Sequence, residues 1–168
     1  MIHLALIAAF APGIASGQAA SAPAYTRSQA EQDLRGVIET FRTSIIRKDK
    51  AAFLALFHEA PVVWQGVDSD ALVAKSGRRA GVDAKVAFDP AQNPRSFIEG
   101  IANEKGRSEE RFGDVAIDTD GDVASITFDF VYLLNDRPIN VGKESWHLVR
   151  SESGWKIVSV IYSNKDPA

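Results

Sequence analysis

The amino-acid sequence predicts an α+β protein in which N-terminal helices pack on a curved, mostly antiparallel sheet. Three observations carry that expectation. Apolar residues recur at three-and-four spacing between Leu34 and Ile45, the chain beyond Arg107 consists mainly of β-branched and aromatic runs, and it closes with two such runs joined by Ser151-Glu-Ser-Gly154. Helices first and consecutive strands afterwards is the order of an α+β architecture.

Each element follows from local signals. Ser28-Gln-Ala-Glu31 reads as a capping box, and Leu34, Val37, Ile38, Phe41 and Ile45 form the inward face of a first helix ending near Lys48. Asp49 caps a short second helix, to about Phe57, that turns Phe53, Leu54 and Phe57 inward; Pro61 lies beyond its end. Val62-Val-Trp-Gln65 reads as the first strand. Between positions 66 and 93 Gly, Asp, Lys and Arg dominate, with a hint of helix at Ala71-Leu-Val-Ala74 and the most flexible composition at 76–81. A loop of that length is either a lid over a pocket mouth or a mobile surface segment. Asn93-Pro94 opens another helix with the stripe Phe97, Ile98 and Ile101, and Ser96-Phe-Ile-Glu99 offers a second place for its cap. Strands at 109–117 and 123–134 flank Asp120-Gly121, a hairpin-turn dipeptide, and Asn135-Asp-Arg-Pro138 turns into the last hairpin, where Gly154 supplies a positive φ.

Composition bounds the function. With 168 residues, 45% hydrophobic and 24% charged, the chain supports one domain, placed at 28–164. A net charge of −3 without a basic run excludes a nucleic-acid face. Residues 1–24 contain no Lys, Arg, Asp or Glu, and Leu4-Ala-Leu-Ile-Ala-Ala-Phe-Ala11 is followed by Ala20-Ser-Ala22, the pattern of a signal peptide over 1–22. The expected product is periplasmic or secreted. The apolar stretch is too short for a span, and with no Cys there is no lipid-bearing thiol, so no stable membrane anchor is expected.

The runs Ala124-Ser-Ile-Thr-Phe-Asp-Phe-Val-Tyr132, Gly142-Lys-Glu-Ser-Trp-His-Leu-Val-Arg150 and Gly154-Trp-Lys-Ile157 resemble the closing strands of the nuclear transport factor two-like superfamily, in its bacterial SnoaL-like branch. The resemblance covers roughly 28–163. It implies a cone-shaped, cystatin-like α+β roll with one open end and a pocket inside. Ketosteroid isomerases, scytalone dehydratases and polyketide cyclases of this superfamily use Asp, His and Tyr in that pocket with no metal or organic cofactor, while other relatives only bind a ligand or assemble. No motif around a candidate base here matches theirs.

Which side chains face such a pocket depends on strand register. If Asp136-Arg137 is a two-residue loop, Asp129 lies opposite Glu144 and Thr127 opposite Trp146, and the last hairpin sets Trp146 beside Ser159. One face then carries Asp129, Glu144, Trp146, Ser159 and Ile161, and the other Phe128, Phe130, Tyr132, His147, Val158, Val160 and Tyr162. A concave first face brings together the carboxylates Asp129 and Glu144, at least one of them raised toward neutrality by burial and repulsion; on a convex face both point to solvent, or one pairs with Arg111 or Lys143. A concave second face makes Tyr132, His147 and Tyr162 the polar groups. Trp64 floors the pocket or fills the core, and His58 suits a helix C-terminus. No metal-ligand spacing, phosphate-binding Gly loop or G-x-S-x-G motif is present, so no cofactor or metal is expected. Two functions follow: a binding or assembly module for a small apolar ligand, and a cofactor-independent isomerase, dehydratase or cyclase. A sheet with apolar residues on both faces predicts a homodimer.

Overall fold

The computed structural model describes residues 25–76, 85–86 and 89–168. The expected signal peptide at 1–22 lies outside them, as does most of the 76–81 stretch. Nine elements follow in order: α1 (Arg27–Arg47), α2 (Lys50–Leu54), β1 (Val63–Asp68), α3 (Asp70–Lys75), α4 (Pro94–Asn103), β2 (Ser108–Thr119), β3 (Val123–Leu134), β4 (Arg137–Ser151) and β5 (Gly154–Asn164). The sheet is open and mixed, in the order β1-β5-β4-β3-β2, with β1 parallel to β5 and every other pair antiparallel. No helix among the described residues is long and apolar enough to cross a membrane.

Local chemistry explains the boundaries. The first helix starts two residues earlier than Ser28 predicts, because Thr26 and Gln29 form the reciprocal capping box; Thr26 Oγ1 accepts from the Gln29 amide while Gln29 Oε1 accepts from the Thr26 amide. It stops at Lys48, which adopts the left-handed conformation. Asp49 caps α2 as expected, and Asn93 with Ser96, rather than Ser96 with Glu99, caps α4. The first strand runs on through Gly66-Val67-Asp68, read from sequence as loop, because β5 pairs with it along its whole length.

Leu34, Phe41 and Ile45 of α1 are buried against Phe53, Ile98 and the sheet residues Ile126, Phe128, Trp146 and Leu148. The Phe41 ring lies 4.8 Å from Phe53 and 4.7 Å from Trp146, centroid to centroid, so one residue joins helix layer to sheet. Burial of such a side chain contributes about 1.5–3 kcal/mol. Gly142 on β4 is demanded by contact: a Cβ there would lie 1.9 Å from the Ser163 carbonyl oxygen and 2.8 Å from the Phe130 ring.

Three irregularities decide which way the strands face. The β3–β4 turn is Asn135-Asp136, both at positive φ (52° and 63°), closing on the pair Leu134–Arg137. The loop is thus one residue earlier than Asp136-Arg137, and Ile139 bulges before pairing resumes at Tyr132–Asn140. In the last hairpin Val158 is the extra residue, between the pairs Leu148–Ile157 and His147–Ser159. In β2, Asp114 (φ 50°) and Val115 lie between the pairs Gly113–Asp129 and Ala116–Thr127.

Candidate functional site

A cavity of about 200 Å³ opens between the helices and the inner face of the sheet. Its walls are aromatic: Phe41 from α1, Phe97 from α4, Trp64 from β1 and Phe130 from β3. Five polar side chains enter it, Glu110 from β2, Tyr132 from β3, Asn140 and Glu144 from β4, and Tyr162 from β5, and Ile139 stands at its rim. Pairing explains their convergence. Glu110, Tyr132 and Asn140 are cross-strand neighbours in one row, and Phe128, Glu144 and Tyr162 form a second row.

Both glutamates are buried, 4% exposed in each case, and no cation pairs with either among the described residues. Glu144 Oε1 accepts from the indole Nε1 of Trp146, itself fully buried beneath the cavity. Burial pushes the Glu144 carboxyl up to about 7, and the Trp146 hydrogen bond opposes that rise. Glu110 is also raised well above the ordinary carboxylate range, first by burial and then by the Glu144 charge. Two groups so placed titrate as a coupled pair and lose their protons in separate steps. Burial and mutual repulsion thus favour retention of protons by this pair well above the usual carboxylate range. Glu110 Oε2 has no hydrogen-bond partner among the described residues. Burial also raises the phenols of Tyr132 and Tyr162, the latter helped by Glu144, so both remain donors. Gly66 makes room for Tyr162, since a Cβ there would lie 2.9 Å from its ring.

The sequence-predicted residues divide. Glu144, Tyr132 and Trp64 line the cavity, and Trp146 supports Glu144 from below. Asp129 does not face Glu144: it pairs with Lys143 across the strands and binds that side chain at 2.8 Å on the exposed outer face. The Ile139 bulge is the reason, because one extra residue shifts Glu144 opposite Phe128. His147 and Ser159 pair on that outer face too, with Ile161 beside them, 41% exposed, since the Val158 bulge places Trp146 opposite Val160. Each expected face thus combined residues from both sides of the real sheet. His58 is exposed, and its Nδ1 accepts from the Ala60 amide in a local turn.

Glu110 and Asn140 escaped the sequence reading. Strand alternation could have found the first, because Phe112 is apolar and Glu110 shares its face. Asn140 needed the bulge. Among the described residues no three His, Asp or Glu side chains gather as metal ligands.

No family model matches the sequence, and no curated protein matches it either. Solved structures do match in shape. A candidate dehydratase of the NTF2-like family from Streptomyces avermitilis superposes with a TM-score of 0.60 at 18% identity, covering 84% of this chain and 100% of that one. An NTF2-like superfamily protein from Salmonella enterica gives 0.59 at 19% identity over 85% and 94%. An NTF2-like protein with a cystatin-like fold from Novosphingobium aromaticivorans gives 0.58 at 14% identity over 84% and 85%. Identities this low carry the fold alone: the chain has the NTF2-like, cystatin-like α+β fold.

Proposed function

We propose that the protein is an exported, cofactor-independent enzyme of the SnoaL-like type that transfers a proton on a small, mostly apolar carbonyl compound. The observation carrying this reading is the pair of buried glutamates facing one aromatic cavity, with the Glu144 carboxyl pushed up to about 7 and Glu110 raised well above the ordinary carboxylate range. A base and an acid whose environments separate their pKa values are suited to opposite roles. Glu144 takes a proton from the carbon next to the carbonyl, and the C–H electron pair moves toward the carbonyl. Glu110 donates a hydrogen bond to the carbonyl oxygen as negative charge develops there. Returning the proton to another carbon gives isomerisation; loss of a β-hydroxyl as water, protonated by Glu110, gives dehydration. The description of the Streptomyces neighbour supports the second outcome. Export rests on the 1–22 leader pattern. A homodimer through the outer sheet face rests on its exposed Val63 and Ile161, which would gain cover from a second copy.

The test has two parts. Carbon-13 NMR of the Glu144 carboxyl should show a midpoint near 7; a midpoint in the ordinary carboxylate range rejects Glu144 as the base. Solvent deuterium should enter the α-position of cyclohexenone faster with the protein than in buffer, and Glu144→Gln should abolish the difference.

A further inference from the structure

One half-buried polar chain beside the cavity has a direction that fixes what its last member offers. Asn140 Nδ2 donates to Asn164 Oδ1 at 3.0 Å, and Asn164 Nδ2 donates to Asp68 Oδ1 at 3.1 Å. A carboxylate has only acceptors, so Asn164 must turn its NH2 to Asp68 and its oxygen to Asn140. Asn140 in turn must use its NH2 on Asn164. Its Oδ1 is left over, buried and without a hydrogen-bond partner among the described residues, on a side chain that lines the cavity. A buried acceptor without a partner is unfavourable and is normally satisfied. The other oxygen in that condition in the same cavity, Glu110 Oε2, belongs to the same cross-strand row, two strands away.

We infer that Asn140 is a specificity-determining residue: the cavity takes a ligand that carries a hydroxyl for Asn140 Oδ1 in addition to the oxygen that meets Glu110, and Asp68 with Asn164 are positioning residues that hold the Asn140 amide in its accepting orientation. The substrate class is a small, apolar hydroxy-carbonyl compound. This rests on the proposed cavity being the ligand site and not on the proton transfer within it.

The experiment compares acetophenone with its three ring-hydroxylated isomers, by calorimetry and by quenching of tryptophan fluorescence, on the full chain. At least one hydroxylated isomer should bind the wild type about tenfold or more tightly than acetophenone. Asn140→Leu should remove that preference. Asp68→Asn, nearly isosteric, should reduce it with Asn140 still present, because a carboxamide at 68 can donate as well as accept and no longer dictates direction. Equal binding of all four compounds, binding of none, or a preference that survives Asn140→Leu overturns the inference; a preference unchanged in Asp68→Asn overturns the positioning role. Glu144 is titrated without ligand. A neutral midpoint with no hydroxyl preference therefore removes this inference alone, and an ordinary midpoint with the preference intact removes the proton-transfer reading alone.

Discussion

Glu109 and Glu110 are consecutive residues of one strand, almost equally buried at 6% and 4% exposure, and their electrostatics are opposite. Glu109 accepts from Arg111 Nε at 3.1 Å and from Arg107 at 2.6 Å, with Arg42 of α1 at 3.9 Å. These partners hold its carboxyl below the usual carboxylate range, Arg111 most of all. Glu110, turned the other way by strand alternation, meets aromatic walls and another glutamate, and its carboxyl rises. Low exposure alone therefore does not set the charge of a group: guanidinium partners offset it for Glu109, and on the other face burial without such partners raises Glu110. One side of the edge strand is an ion-pair clasp, and the other is the site.

Four measurements can break or sharpen that contrast, from the largest effect down. Glu144→Gln should slow α-deuteration of cyclohexenone by roughly 10²–10⁴-fold, the usual contribution of a positioned base. A rate equal to wild type would remove the site from the comparison.

The second is the pH dependence of folding. Glu144 binds its proton more tightly folded than unfolded, so the stability linked to it is fully present below the unfolded value of 4.5 and is lost as pH rises through about 7. The loss is about 3 kcal/mol. Urea unfolding at about pH 5 and about pH 8 should show it in the wild type, and Glu144→Gln should reduce it, leaving the part of the same sign that Glu110 contributes. Glu109 has the reverse sign: its contribution is present above the unfolded pKa and fades in acid.

Third, Glu109→Gln should destabilise by about 2 kcal/mol, since it weakens hydrogen bonds to charged groups, and should leave the Glu144 midpoint in place. A shifted midpoint would mean that the two faces communicate. Smallest of all, Asp129→Asn should change unfolding free energy by no more than about 0.5 kcal/mol and leave deuteration unchanged, because the Asp129–Lys143 pair is exposed. A larger effect would make the outer face more than a solvated surface.

The helices and strands were legible in the sequence because their signals are local. A capping side chain, apolar spacing at 34–45 and Gly154 at positive φ (99°) each act within a few residues. Asp49, Asn93 and the bounds of β3 were found for that reason. The boundary of β1 was not, because Gly66-Val67-Asp68 becomes strand only through pairing with β5. Of the residues expected at a pocket, Glu144, Tyr132 and Trp64 line the cavity, and Asp129, His147, Ser159 and Ile161 fell on the other face.

The sequence by itself determined the α+β class, the element order, the turn chemistry and the set of polar side chains available to a cavity. Only the tertiary structure decided which of them enter it. Side chains alternate with a period of two, so one bulged residue at Ile139 and another at Val158 exchange the inward and outward sets, and neither bulge carries a signal in its own residues. The pairing of Glu110 with Glu144 lies further still from sequence, because it joins strands separated by β3 and their pKa values are made by burial that the whole fold supplies.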